Sequence, residues 1–394
     1  MEKYLSDVLD TSLFEKGYMN VIWAPCGSGK TTAAINKIAP LASKPRKAIY
    51  LIDTRLGKDR LATMDELTTP FFAYADSITD SHNGFFENDN KLCVTTYAQF
   101  GYWCDEYRNF PENYEYIICD EPHNLVNFSE YGTEAPGDIN AHMIARKAIC
   151  DSIKRGKTMI VGITATPKPL EKLKCPLKEI PIDKTNLRHY TEKHRINYAS
   201  LPSVLDNLTV GQRGGIYIKR ITSMLKCEKQ LRQRGFNPLL LWSIANKDHP
   251  LSAEQIKARQ FIIDNEKVPD EYDVFMFNAT AETSINIRSH MDFFIAHNTN
   301  ETSITQSRGR YRGNLDTLYF YDKSGAVFVP SDYLNRMLFM DDLKELRAQL
   351  ELKKDDEKSH PLSTDDMLRL ISDSGYNCKT GTKNRKKCVE IIKA

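Results

Sequence analysis

Short apolar runs recur along this chain, and most of them end in a polar cluster. In the first half the runs fall at residues 21–23, 47–52, 92–96, 114–119 and 158–163. Continuous apolar runs of this length predict strands covered on both faces, and the helix-compatible segments between them predict a mostly parallel sheet. The polar clusters Asp53–Thr54–Arg55, Asp120–Glu121–Pro122–His123 and Thr164–Ala165–Thr166–Pro167 each follow a strand, where open α/β sheets form their ligand crevice. A second block repeats the style, with strands predicted at 215–218, 239–242, 272–277, 291–296 and 317–321. Helices are predicted over 32–38, 60–67, 223–234 and 253–264, with helix starts at Tyr97 and Thr302. Between the blocks, residues 168–203 hold several prolines and mixed charges without a period, and read as a linker.

The C-terminal stretch has a different texture. A charged helix is predicted over 341–358, and a second opens at Ser363, a good N-cap followed by acidic residues. The tail 377–394 carries Lys379, Lys383, Arg385, Lys386, Lys387 and Lys393 against Glu390 alone. The expected domains are therefore 1–190, 204–340 and a small basic appendage over 341–394.

Size and composition narrow the picture. A length of 394 residues exceeds what one hydrophobic core usually serves. Hydrophobic residues at 41% and charged residues at 27% describe a globular chain, and no run approaches the ~20 apolar residues of a membrane span. With a formal net charge of +2, any polyanion must be held by a localised surface. None of the nine cysteines falls in a C-x-x-C pair, which argues against a zinc ribbon or a disulfide scaffold and suits the cytoplasm.

The chemistry starts at residues 24–32. A strand, a Gly-containing turn (Pro25, Cys26, Gly27, Ser28, Gly29) and a helix follow one another, the context of a phosphate-binding loop. Its backbone N–H groups would converge on an anion, Lys30 would reach the β- and γ-phosphates of a nucleotide, and the Thr31 hydroxyl would complete a Mg²⁺ shell. Ala24 stands where the pattern usually has its first Gly. Downstream, Asp120 at a strand end can hold Mg²⁺ bound to the phosphates, and the adjacent Glu121 can orient or deprotonate water. His123 lacks a partner histidine one turn away, so a hydrogen-bonding link from the site to the neighbouring domain suits it better than a metal.

The order of residues 24–31, 120–123, 164–166 and 306–312 resembles superfamily 2 helicases of the DExH type, over about residues 15–325. There is a looser similarity to compact replication helicases of phages and mobile elements. The resemblance implies an α/β fold with two tandem RecA-like domains, followed here by a helical, basic C-terminal appendage, and ATP bound between the domains with Mg²⁺. It implies that Lys30 and Thr31 bind phosphate and Mg²⁺, Asp120 assists the metal, and Glu121 is the catalytic base. His123, Thr164, Thr166 and Asn286 would couple hydrolysis to motion. Gln306 would contact nucleotide and water, and Arg310 would be the arginine finger, supported by Arg308 and Arg312.

The same resemblance assigns strand contacts to Arg55, Thr95, Thr96, Lys219, Arg220, Ser223 and Thr280. The charge of the tail adds Lys383, Arg385, Lys386 and Lys387. The implied partner is single-stranded or partly duplex nucleic acid, DNA favoured over RNA, together with a replication or repair protein. A double-strand translocase that never unwinds, and a binding protein that uses ATP only as a switch, are the other expectations. Two departures stand out. Arg312 lies six positions after Gln306 where many relatives have seven, and no aromatic–Gln element precedes the phosphate loop as in DEAD-box proteins.

Overall fold

The computed structural model describes residues 2–43, 47–53, 61, 71–73, 92–129, 140–244, 246–278, 285–297, 300–322, 325–352, 361–383 and 386–393. The chain divides into two compact units, Met1–His189 and Tyr190–Ala394.

The first unit is built on seven parallel strands: β1 Met19–Trp23, β2 Lys47–Ile52, β3 Phe71–Ala73, β4 Leu92–Thr96, β5 Tyr114–Asp120, β6 Met159–Thr164 and β7 Leu177–Glu179. Their order across the sheet is β3-β4-β2-β5-β6-β1-β7. Because side chains alternate along a strand, each central strand feeds two cores. In β2, Ala48, Tyr50 and Ile52 pack with Ala33, Ala34 and Ile35 of the helix after the phosphate loop. Ile49 and Leu51 face the opposite side, with Tyr97, Phe100 and Ile149. Helices on both faces explain why these strands read as unbroken apolar runs.

The second unit has six parallel strands: β8 Glu192–Tyr198, β9 Gly214–Ile218, β10 Pro238–Leu241, β11 Val274–Phe277, β12 Phe293–His297 and β13 Leu315–Tyr321. They lie in the order β10-β11-β9-β12-β13-β8, again between two apolar cores. The amphipathic helix predicted over 223–234 is present as Ile221–Gln233, burying Met224, Cys227 and Leu231.

Two expectations need correction. Residues 168–203 are no simple linker: they contain a 3-10 segment, Lys168–Leu173, and both β7 and β8. These two are edge strands with mostly exposed or half-buried side chains, so they carry no apolar period to read. The C-terminal region does hold two helices, Met340–Leu350 and Thr364–Asp373. Its basic tail, however, is a β-hairpin of β15 Tyr376–Lys383 and β16 Lys386–Lys393, with β14 Met337–Leu338 on the other side of β16. Val389, Ile391, Leu346 and Met367 pack there against Ala199, Val327 and Val329. The helix predicted over 60–67 lies almost wholly outside the described residues. Among the described residues, no helix is long and apolar enough to cross a membrane.

Candidate active site

The turn expected to bind phosphate, residues 24–29, lies between β1 and a helix that begins at Lys30. The turn needs left-handed backbone at Gly27 (φ 87°) and Gly29 (φ 82°), conformations open to glycine at little cost. The loop is braced internally. Ser28 is buried and its hydroxyl donates to the Pro25 carbonyl at 2.8 Å, while the Ala24 N–H donates to the Thr164 carbonyl at 3.0 Å. That second bond ties the start of the loop to the end of β6. Cys26 is half-buried in the same turn.

Lys30 curls back over this loop. Its Nζ lies 3.4 Å from the carbonyl oxygens of Ala24 and Pro25, and 3.4 Å from Oε1 of Glu121. Glu121 follows Asp120 at the end of β5, with a left-handed backbone (φ 45°) that costs a non-glycine residue about 1–3 kcal/mol. The bond from its N–H to the Ile163 carbonyl, 2.9 Å, holds that conformation. The same corner is shaped by Gly162 in β6, where a Cβ would stand only 3.1 Å from the Pro122 ring.

Glu121 then collects the polar residues after β6. Its Oε2 accepts from the Thr164 hydroxyl at 2.6 Å and from the Ala165 N–H at 3.3 Å, and lies 3.3 Å from Nδ1 of His123. That ring nitrogen also meets the hydroxyls of Thr164 (3.3 Å) and Thr166 (3.2 Å). Thr166 in turn donates its N–H to the Thr164 hydroxyl at 2.9 Å. Burial alone would raise the Glu121 pKa. The nearby Lys30 charge, with His123 and the Thr164 hydroxyl, outweighs it and holds the carboxyl below its usual range. Glu121 is therefore a carboxylate held by four neighbours. His123 joins Glu121 to both threonines within the first unit, where the sequence suggests a link to the neighbouring domain.

Asp120 is fixed through its main chain, the Tyr97 hydroxyl donating to its carbonyl at 2.8 Å. Tyr50, a residue that sequence reasoning passed over, has a fully buried hydroxyl without a hydrogen-bond partner, beside Thr31 and Asp120. Its only signal was a phenol inside an otherwise apolar strand. A Thr31 hydroxyl and an Asp120 carboxylate are hard oxygen donors of the type Mg²⁺ takes, and the unpaired phenol leaves capacity for a further polar group there. Among the described residues no cluster of three or more His, Cys, Asp or Glu could hold a metal.

The second unit gathers the arginines. The helix Glu301–Arg308 is capped by Asn300, carries half-buried Gln306, and leads through Gly309 to Arg310 and Arg312. Arg308 is buried and engaged. Its Nε donates to Glu192 at 2.8 Å, and its Nη atoms donate to the carbonyls of Tyr311 (3.0 Å), Gly313 (2.9 Å) and Thr191 (3.3 Å). In the structure it is a strut between the helix end and the edge strand β8, with four of its five N–H donors used within the second unit. Arg310 differs: its Nε is buried without a hydrogen-bond partner. Arg312 donates to Asn286 at 3.1 Å, so these two predicted residues do meet.

The expected strand contacts divide. Lys219 and Arg220 are exposed just after β9, with half-buried Ser223 in the following helix. Thr95 is only 1% exposed, and the Thr96 hydroxyl accepts from the Gln99 N–H at 3.2 Å as the cap of helix Tyr97–Glu106. As placed, then, neither threonine is open to a strand, because one is sheet core and the other a helix cap. Lys383 and Lys387 are exposed near the hairpin tip and Lys386 opens β16. Arg55, Thr280 and Arg385 lie outside the described residues.

Residues 2–169 match the family described as the res subunit of type III restriction enzymes. A search of curated proteins returns no match. Among solved structures, the helicase MrfA bound to DNA is similar over 94% of this chain and 55% of its own, at 12% identity and a TM-score of 0.51. The NS3-like helicase from Alongshan virus is similar over 77% of this chain and 73% of its own, at 14% identity and a TM-score of 0.50. The Mycobacterium smegmatis helicase Lhr bound to ssDNA and AMP-PNP covers 77% and 44%, at 12% identity and a TM-score of 0.48. The chain thus spans about half the length of MrfA and of Lhr. The fold they share with it is a pair of RecA-like domains in tandem.

Proposed function

We propose that this chain carries the core of a superfamily 2 helicase and is an ATP-driven helicase or translocase that acts on DNA. The observation that carries the reading is the cluster Lys30–Glu121–His123–Thr164–Thr166 at the strand ends around the phosphate loop. A nucleotide's phosphates would take Lys30 from the Ala24 and Pro25 carbonyls and from Glu121. Losing that cation leaves Glu121 a better base toward a water near the terminal phosphate. Its carboxylate would keep its aim through Thr164 and Ala165, so the proton it accepts is already within reach of His123. Thr31 and Asp120 would hold Mg²⁺, which when bound neutralises charge on the phosphates. Gln306, Arg310 and Arg312 are proposed to sense the nucleotide, and Asn286 to set Arg312.

The threonines beyond Glu121 provide the route from hydrolysis to motion. Any change in what Glu121 carries is felt at Thr164 and Thr166 through the His123 ring. Exposed Lys219, Arg220, Lys383 and Lys387 are suited to phosphate contacts, which grip a strand without reading its bases. The preference for DNA draws on the DExH character of Asp120–His123 and on the DNA present with MrfA. A replication or repair setting in the cytoplasm goes with that preference.

ATP turnover measured against single- and double-stranded DNA and RNA tests the proposal, followed by strand displacement with 3′ and 5′ overhangs. We expect the largest stimulation by DNA, with affinity that falls steeply between 50 and 200 mM salt. Stimulation by RNA alone would reassign the substrate. Stimulation by duplex without displacement would leave a translocase, and a rate unmoved by any polynucleotide would leave an ATP-switched binding protein.

A further inference from the structure

One buried group near the phosphate loop has no task in the fold. Tyr50 is 1% exposed in the middle of β2, and its hydroxyl is sealed from solvent without a hydrogen-bond partner. A buried polar group left unpaired is destabilising, and native proteins keep few of them. A phenylalanine would fill the same apolar space among Ala33, Ala34 and Ile35 without that cost.

The hydroxyl is aimed by the sheet. Tyr50 pairs in register with Ile118 of the neighbouring β5, and both side chains belong to the core beneath the phosphate-loop helix. Two residues further along β5, on the same face by strand alternation, comes Asp120. Thr31 occupies the first turn of the helix above. Both Thr31 and Asp120 are near enough to act on the phenol. Its hydroxyl is therefore a donor held beside the two oxygen groups expected to hold Mg²⁺.

We propose that Tyr50 is a positioning residue for the divalent cation, its hydroxyl donating to the Asp120 carboxylate when Mg²⁺ and nucleotide enter. The proposal rests on reading residues 24–31 as a nucleotide site. It explains why the chain keeps a phenol there: its hydroxyl has no partner among the protein groups, and a bound cation and nucleotide would give it one. Partners that orient metal ligands in this way typically change metal affinity by about 10–100-fold when removed.

The full-length Tyr50→Phe protein tests this through binding and melting. ADP affinity is measured by calorimetry at increasing Mg²⁺, and melting is followed with and without Mg²⁺ and ADP. We expect the Mg²⁺ midpoint for tight ADP binding to rise roughly tenfold. ADP affinity without metal should be unchanged, because the phosphate loop is untouched. The melting temperature of the free protein should match or exceed wild type, and the rise on adding Mg²⁺ and ADP should shrink. A variant that melts lower than wild type or fails to fold, or one with the wild-type Mg²⁺ midpoint, would overturn the assignment of Tyr50 and leave the nucleotide site standing. A wild-type protein whose ADP binding ignores Mg²⁺ would overturn both.

Discussion

The loop end of the first sheet and the arginine-rich helix end of the second unit both concentrate charge, yet they hold it differently. In the first unit the ionic groups satisfy one another: Lys30 meets Glu121, Glu121 meets His123 and Thr164, and His123 meets Thr166. In the second unit, two arginines two residues apart have opposite fates. Arg308 spends its guanidinium on Glu192 and three carbonyls, whereas the Nε of Arg310 is buried without a partner. A self-satisfied cluster keeps its shape through its own bonds. A buried guanidinium nitrogen without a partner stands to gain from any acceptor that reaches it. Motif position alone cannot separate a structural arginine from a functional one.

The strongest way to break this comparison is to remove one partner from each region. Lys30→Ala should abolish ATP hydrolysis, since the charge that bridges the phosphates is gone; measurable steady-state turnover above a no-enzyme control would refute the role. If Arg310 is the arginine finger, Arg310→Ala should fold as well as wild type and still bind ATP, with turnover lowered by about 10³–10⁵-fold. Turnover within twofold of wild type would transfer the role to Arg312.

Glu121→Gln sharpens the first half of the contrast. ATP binding should survive while hydrolysis falls by roughly 10²–10⁴-fold, the range general-base contributions span. Equilibrium binding of an ATP analogue beside single-turnover rates would show the split, and equal losses in both would mean that Glu121 holds the loop together and nothing more.

Arg308→Ala sharpens the second half, and its effect is on stability. The variant strands Glu192 and the carbonyls of Thr191, Tyr311 and Gly313, so it should cost about 3–5 kcal/mol in denaturant unfolding. If Arg308→Ala unfolded at wild-type denaturant concentration while Arg310→Ala unfolded early, the comparison would be inverted.

The smallest effect is expected at the hairpin. Because β16 carries Val389 and Ile391 into an apolar core, deleting the tail would damage the fold as well as its charge. Lys383→Ala with Lys387→Ala removes exposed charge alone. The salt dependence of strand binding should flatten by about one unit of slope for each lost phosphate contact, at unchanged basal ATP turnover. An unaltered slope on every substrate would confine strand gripping to other surfaces such as Lys219 and Arg220.

What the sequence alone determined was everything encoded by local spacing. Apolar runs specify strands that are buried on both faces, so β1, β2, β4, β5, β6 and the central strands of the second sheet were legible. Glycines in a tight turn before Lys30 specify left-handed backbone there, because few other residues adopt it. Polar clusters after strands specify which side chains meet at the strand ends. What only the tertiary structure decided depends on partners distant in the chain. The edge strands β7 and β8 acquire their form from one neighbour each, and their exposed side chains carry no pattern. The basic tail pairs with itself as a hairpin because Tyr376, Val389 and Ile391 find a core built from residues 199–371. Thr96 became a cap and Arg308 a strut through bonds that no spacing rule announces. Tyr50 reads as one more apolar strand residue until the fold seals its hydroxyl beside Thr31 and Asp120. Hydrogen-bond satisfaction is a property of three-dimensional neighbours, and it is there that sequence and structure part.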